Sequence, residues 1–126
     1  NKDRALAKRL LEMTELTELA SRNVKGLSGG QKQRVSLCRA MMKKPKLLLM
    51  DEPLSALDPV MRTKLQDEIL KLHKTFGTTT IMVSHDTDVS YHLSDRILVL
   101  DQGNIVVDGT PQEILVKSTK EVYTLL

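Results

Sequence analysis

Leu47-Leu48-Leu49-Met50-Asp51-Glu52-Pro53 sets an unbroken aliphatic run against an abrupt acidic stop. A half-exposed strand would alternate polar with apolar residues, and a helix would bring in a polar residue within each turn. A short run with neither pattern predicts a strand buried on both faces, as in a parallel sheet. In open α/β sheets, ligands gather beyond the carboxyl ends of such strands. Neighbouring residues on extended backbone point in different directions. Asp51 can therefore hold a hard cation such as Mg2+ while Glu52 faces a water molecule. A solvated acidic turn after a strand fits the same two residues, and the pair alone does not separate these readings.

Upstream, Leu27-Ser28-Gly29-Gly30-Gln31 opens a helix predicted to run to about Lys43, closed by Pro45. Ser28 and Gln31 have the spacing of a capping box. Two glycines at a capped helix start expose N–H groups where the macrodipole favours an anion, which suits a phosphate. A plain capping loop reads the same way. Still further upstream, Leu6, Leu10 and Met13 recur at helical spacing between Asp3 and Ala20, with Thr14 and Thr17 leaving one helix or two short ones open.

Downstream, Asp58-Pro59 is an N-cap with proline at the first helical position. Met61, Leu65, Ile69 and Leu72 form one stripe of the helix that follows, which Gly77 ends. Thr78 to Ser84 is a second, β-branched strand stopping at His85-Asp86. An imidazole there can hydrogen-bond a phosphate oxygen or position water, or serve a structural end. A poorly patterned helix follows over Asp88 to Ser94. Arg96–Leu100 and Asn104–Asp108 are strands joined through Asp101-Gln102-Gly103, a hairpin signal. A last helix starts near Pro111. Strands alternating with helices define an α/β fold.

Composition narrows the functional classes. Lys and Arg number 19 against 16 Asp and Glu, a net charge of +3 spread evenly along 126 residues, which does not point to nucleic acid. Aromatics make up 2% with no Trp, so no base-stacking platform is available. One cysteine, Cys38, excludes an internal disulfide and fits a reducing compartment. No apolar run reaches the ~18 residues of a membrane span. The chain starts at Asn1 without a signal segment, so it is expected to be a processed chain or a piece of a longer one.

Taken in order, the glycine-rich helix start, apolar strand, Asp-Glu, Ser55-Ala56-Leu57-Asp58, second strand and His-Asp resemble the C-terminal part of an ATP-binding cassette (ABC) ATPase subunit. Leu27-Ser28-Gly29-Gly30-Gln31 is similar to that family's signature motif and Leu47 to Asp51 to its Walker B strand. Glu52 matches the catalytic glutamate, Ser55 to Asp58 the D-loop and His85 the switch histidine. The resemblance implies a partial P-loop NTPase (RecA-like) core with part of the helical subdomain. Residues 1–43 would be the remainder of that subdomain with the signature helix, and 44–126 the C-terminal half of the core.

It further implies ATP and Mg2+ as cofactors. Asp51 would hold the Mg2+, Glu52 would orient or deprotonate water, and His85 would contact the γ-phosphate. Leu27, Ser28, Gly29, Gly30 and Gln31 would reach the nucleotide of a second, head-to-tail ATPase subunit, with Ser55, Ala56, Leu57 and Asp58 at the dimer interface. Transmembrane permease subunits at the cytoplasmic face of the membrane would be the other partners. Gly109-Thr110-Pro111 with Glu113-Ile114 resembles the closing segment of bacterial importers, which points to solute import. An ABC ATPase of translation or DNA repair, and a module kept only for dimerisation, are the rival readings. The second is disfavoured by the joint presence of Asp51, Glu52 and His85.

No G-x-x-x-x-G-K-[ST] occurs in the chain. In the family, the strand bearing that phosphate loop lies between the His85-type strand and the next one. Without it, the strand at Ile81 is expected to lack a neighbour on one side, the strand from Arg96 to lose its place, and the chain alone to be inactive.

Overall fold

Gln31 and Ser28 start the helix that carries the glycines. The Gln31 N–H donates to Ser28 Oγ at 3.2 Å while the Ser28 N–H donates to Gln31 Oε1 at 3.0 Å, closing the capping box. The computed structural model describes residues 2–115, and the helix runs over Gly29–Met41. The chain divides into two units, Asn1–Val83 and Ser84–Leu126.

In the first unit, α1 spans Lys2–Met13, α2 Gly29–Met41 and α3 Pro59–Phe76, with strands β1 at Leu47–Asp51 and β2 at Thr79–Val83. The N-terminal segment makes one helix, then two 3-10 turns at Thr17–Leu19 and Val24–Gly26. Thr14 ends α1 by returning its hydroxyl to the Leu10 carbonyl at 2.8 Å. Glu15 then takes a left-handed φ of 57°, which turns Leu16 inward to 1% exposure. Asp58 caps α3 through the Met61 N–H at 2.9 Å, and Pro59 follows as expected. Gly77 ends α3 at a φ of 63°, where a Cβ would be strained.

α1, α2 and α3 bury a shared core of Leu10, Leu16, Leu37, Cys38, Met41, Leu65, Ile69 and Leu72. The Arg9 guanidinium lies 5.3 Å from the Phe76 ring centroid, tying α1 to the end of α3.

β1 and β2 pair in parallel, from Leu47 opposite Thr79 to Asp51 opposite Val83. Leu48 and Met50 turn toward Leu37, Leu65 and Ile69, lining with them an open cavity of about 230 Å³. The other face differs from the expected double burial. Leu47 is 50% exposed, Leu49 68%, Ile81 55% and Val83 52%. Among the described residues, helices cover one face of this pair and nothing covers the second.

The second unit holds α4 (Thr87–Leu93) and an antiparallel hairpin of β3 (Ile97–Asp101) and β4 (Asn104–Gly109). Its two-residue turn, Gln102 at φ 46° and Gly103 at φ 79°, has the paired positive φ angles that match strand twist. Arg96 grips Asp108 with two bonds, Nε to Oδ1 at 2.7 Å and Nη2 to Oδ2 at 2.5 Å. Residues 111–115 are helical, as expected from Pro111, and the rest of that segment lies outside the described residues. As the family resemblance implies, among the described residues β2 pairs only with β1, and β3 only with β4.

Candidate functional site

β1 delivers Asp51 to the exposed end of the sheet and the chain turns sharply at the next residue. Glu52 has a φ of 45°, left-handed for a residue with a Cβ, which costs about 1 kcal/mol. Three hydrogen bonds hold that conformation. The Glu52 N–H donates to the Val83 carbonyl at 2.9 Å, extending the β1–β2 ladder by one step. The Glu52 carbonyl accepts from the Ser55 N–H at 3.3 Å and from Ser55 Oγ at 3.2 Å. Two adjacent carboxylates thus sit on a turn whose backbone is fixed from both sides.

The loop after it is anchored by its leucines. Leu54 and Leu57 are buried while Ser55, Ala56 and Asp58 remain exposed. Arg62, one turn into α3, donates from Nη2 to the Leu57 carbonyl at 3.3 Å. This loop meets the helix start predicted to bind phosphate. A Cβ added to Gly30 would stand 3.0 Å from Met61 Cε and 3.6 Å from Leu57 Cδ2. The first turn of α2 therefore rests directly on Leu57 and on the first turn of α3. Leu27 is buried, Gln31 is half-buried, and Ser28 and Gly29 face outward with nothing near the Gly29 Cβ position. The Gln31 N–H is spent on Ser28 Oγ, whereas the Gly29 and Gly30 N–H groups precede any intrahelical acceptor and are the ones that suit an anion.

Asp51, Glu52, Leu27 to Gln31 and Ser55 to Asp58 all belong to the first unit. His85 belongs to the second. It is exposed, between Ser84, whose Oγ accepts the Asp86 N–H at 3.1 Å, and Asp86, whose Oδ1 caps α4 through the Asp88 and Val89 N–H groups at 3.0 and 3.2 Å. Val89, at 3% exposure, seats that short helix.

Among the described residues no group of three or more His, Cys, Asp or Glu side chains is placed to hold a metal ion. Asp51 alone offers one hard oxygen donor. That suits Mg2+, which keeps several waters and takes one or two carboxylates together with substrate phosphates.

Behind the site, Arg34 of α2 and Glu68 of α3 form an ion pair, Nε to Oε2 at 2.7 Å, with both side chains 6% exposed. Burial pushes the Glu68 carboxyl above its ordinary value, and the Arg34 hydrogen bond pulls it back only partly. Burial likewise raises the Cys38 thiol, which contacts Thr14 Oγ1 at 3.3 Å, so this cysteine is an inert core residue. Arg34, Glu68 and Met61 escape a reading by motif. The available signal is a charged residue at position 68, three residues past Leu65 and inside an otherwise apolar stripe.

A capped Gly-Gly helix start, seated on the loop that follows an Asp-Glu strand end, is the arrangement that the resemblance to a P-loop ATPase implies. The chain is similar to the ATPases of ABC transporters: the family profile described as ABC transporter matches residues 1–55. It is 50% identical over 104 residues to the spermidine/putrescine import ATP-binding protein PotA of Borreliella afzelii (strain PKo), covering 82% of this chain and 30% of that protein. It is 51% identical over 114 residues to the Fe(3+) ions import ATP-binding protein FbpC 2 of Rhizobium meliloti (strain 1021), covering 88% of this chain and 29% of the relative.

Among solved structures, cbiO1 from Clostridium perfringens, part of the ABC transporter complex cbiONQ, superposes with a TM-score of 0.84 at 29% identity, covering 91% of this chain and 46% of that one. The ADP conformation of MJ1267, an ATP-binding cassette of an ABC transporter, gives a TM-score of 0.81 at 29% identity, covering 98% and 50%. The chain spans 30% or less of the length of these two curated relatives.

Proposed function

We propose that this chain is the signature-to-switch segment of an ATP-hydrolysing subunit that powers solute import through a membrane. The observation that carries this reading is the seat of Gly30 on Leu57 and Met61, which makes the anion-facing helix start and the Ser55–Asp58 loop parts of one rigid surface. Residues 1–43 belong to the helical subdomain and 44–126 to the catalytic core in this reading.

Phosphoryl transfer asks mainly for positioning and charge stabilisation. Asp51 would hold Mg2+, directly or through water, and the bound ion would supply charge neutralisation at the phosphates. Glu52, pinned by Val83 and Ser55, aims its carboxylate at the attacking water and orients or deprotonates it. His85 contacts the γ-phosphate. Leu27 to Gln31 meet the nucleotide of a second subunit, with the Gly29 and Gly30 N–H groups and the Ser28 hydroxyl as donors, and Ser55 to Asp58 carry the interface between the two. Permease subunits bind the assembly at the cytoplasmic face of the membrane. Consistent with a peripheral subunit, no helix among the described residues is long and apolar enough to cross one.

Import is favoured over repair or translation because the similar curated proteins are import ATP-binding subunits. Near-equal identity to a spermidine/putrescine and a ferric-ion system leaves the solute to other subunits. The test is turnover of Mg·ATP by the full-length subunit that carries this segment. Glu52→Gln is expected to lower kcat at least ~100-fold while nucleotide binding persists. Undiminished turnover in that variant overturns the reading.

A further inference from the structure

The Arg34–Glu68 pair lies where neither the nucleotide nor a metal is expected to touch it, yet it joins the two helices that carry the site's recognition surfaces. Arg34 follows Gly30 by four residues and shares its buried face on α2. Glu68 follows Met61 by seven residues, two turns along α3, with buried Leu65 between them. The helices are thus fixed at two levels. At their starts, Gly30 packs on Met61 and Leu57; further along, Arg34 grips Glu68 at 2.7 Å.

The pair is not built for stability. It makes one bond where a guanidinium and a carboxylate can make two. Arg34 Nη2 and Glu68 Oε1 are buried with no hydrogen-bond partner among the described residues. An apolar pair of similar volume would stabilise the interface as well or better, because a buried ion pair rarely recovers its desolvation cost. What the charged pair adds is direction: Nε meets Oε2 only in one register and rotation of α2 against α3.

We infer that Arg34 and Glu68 are positioning residues, which lock the rotation of α2 so that the Ser28–Gln31 turn and the Ser55–Asp58 loop keep a fixed relation during ATP turnover. This rests on the functional reading above and deepens it. The nearby charged groups, Glu15 after α1 and Lys64 on α3, pair with each other at the surface; neither bonds to the inner pair, and through space Glu15 raises the Glu68 carboxyl while Lys64 lowers it.

The experiment uses the full-length subunit with Arg34→Met and Glu68→Met combined, because Arg34→Met alone strands a buried carboxylate. Three readouts are taken: Tm, hydrogen exchange of amides 28–31 and 55–58, and kcat against KM for ATP. Expected is a Tm within ~5 °C of wild type, since the removed pair adds little net stability. Exchange rises in both segments, and kcat falls ~10-fold or more with KM unchanged, the signature of displacement by a fraction of an ångström to an ångström. Arg34→Lys, which keeps the charge without the guanidinium fork, restores less than half of the lost kcat. Wild-type exchange in both segments at preserved Tm overturns the inference, as does wild-type kcat. Should the wild-type subunit show no ATP turnover, the functional reading fails, and the exchange data still decide whether the pair locks the two segments.

Discussion

The first unit hides Leu10, Leu16, Met41, Leu65 and Leu72 almost completely beneath three helices, whereas the described part of the second buries only Val89 and Ile114 among its apolar residues. Hairpin β3–β4 instead shows Leu98 at 50%, Leu100 at 69%, Ile105 at 59% and Val106 at 55% exposure. A two-stranded hairpin is marginal in water without a packed face. The first unit therefore supplies the stability, and the second supplies His85 on a lightly packed support. Chemistry follows the same division: carboxylates and the glycine turn sit on the well-packed part.

Substitutions can break this contrast. The largest effect is expected from Arg34→Met alone, which leaves the Glu68 carboxylate buried and unpaired and costs about 3–5 kcal/mol in urea unfolding at pH 7. Leu65→Ala, which opens a cavity under both helices, follows at about 3 kcal/mol. Gly77→Ala, which places a Cβ at a left-handed φ, costs about 1 kcal/mol. Leu100→Ala, on the exposed hairpin, changes stability by less than about 0.5 kcal/mol. A Leu100→Ala cost equal to that of Leu65→Ala would erase the distinction between the units.

The pH dependence sharpens it further. Glu68 is held above its ordinary value of 4.5 in the folded chain. Between 4.5 and that raised value, the folded state binds more protons than the unfolded one. Stability contributed by this group is therefore present below 4.5 and is lost as pH rises through the folded pKa. Comparing urea midpoints of wild type and Glu68→Gln across that window isolates the effect: the wild-type loss with rising pH should be absent from the variant.

Much of the first unit was legible because its signals are local. The Ser28–Gln31 box, the Asp58-Pro59 cap and the Gly77 stop each depend on backbone chemistry within a few residues, and each element begins or ends there. β1 was also readable as a strand, but not its exposure. An aliphatic run reports that a strand is made for burial on both faces, not which layers the described residues provide. The left-handed turn at Glu52 left no trace in sequence, since glutamate has no preference for that region and is held there by Val83 and Ser55. Arg34 and Glu68 stayed hidden because a pairing 34 residues apart depends on how two helices rotate against each other.

The central claim is that Asp51, Glu52 and the glycine turn form part of an ATPase site completed by residues this chain does not carry. Its most direct test measures Mg2+-dependent ATP hydrolysis by the 126-residue chain and by the full-length subunit, each as wild type and Glu52→Gln. The expected result is turnover in the full-length wild type alone. Turnover by the 126-residue chain that Glu52→Gln abolishes would contradict the account.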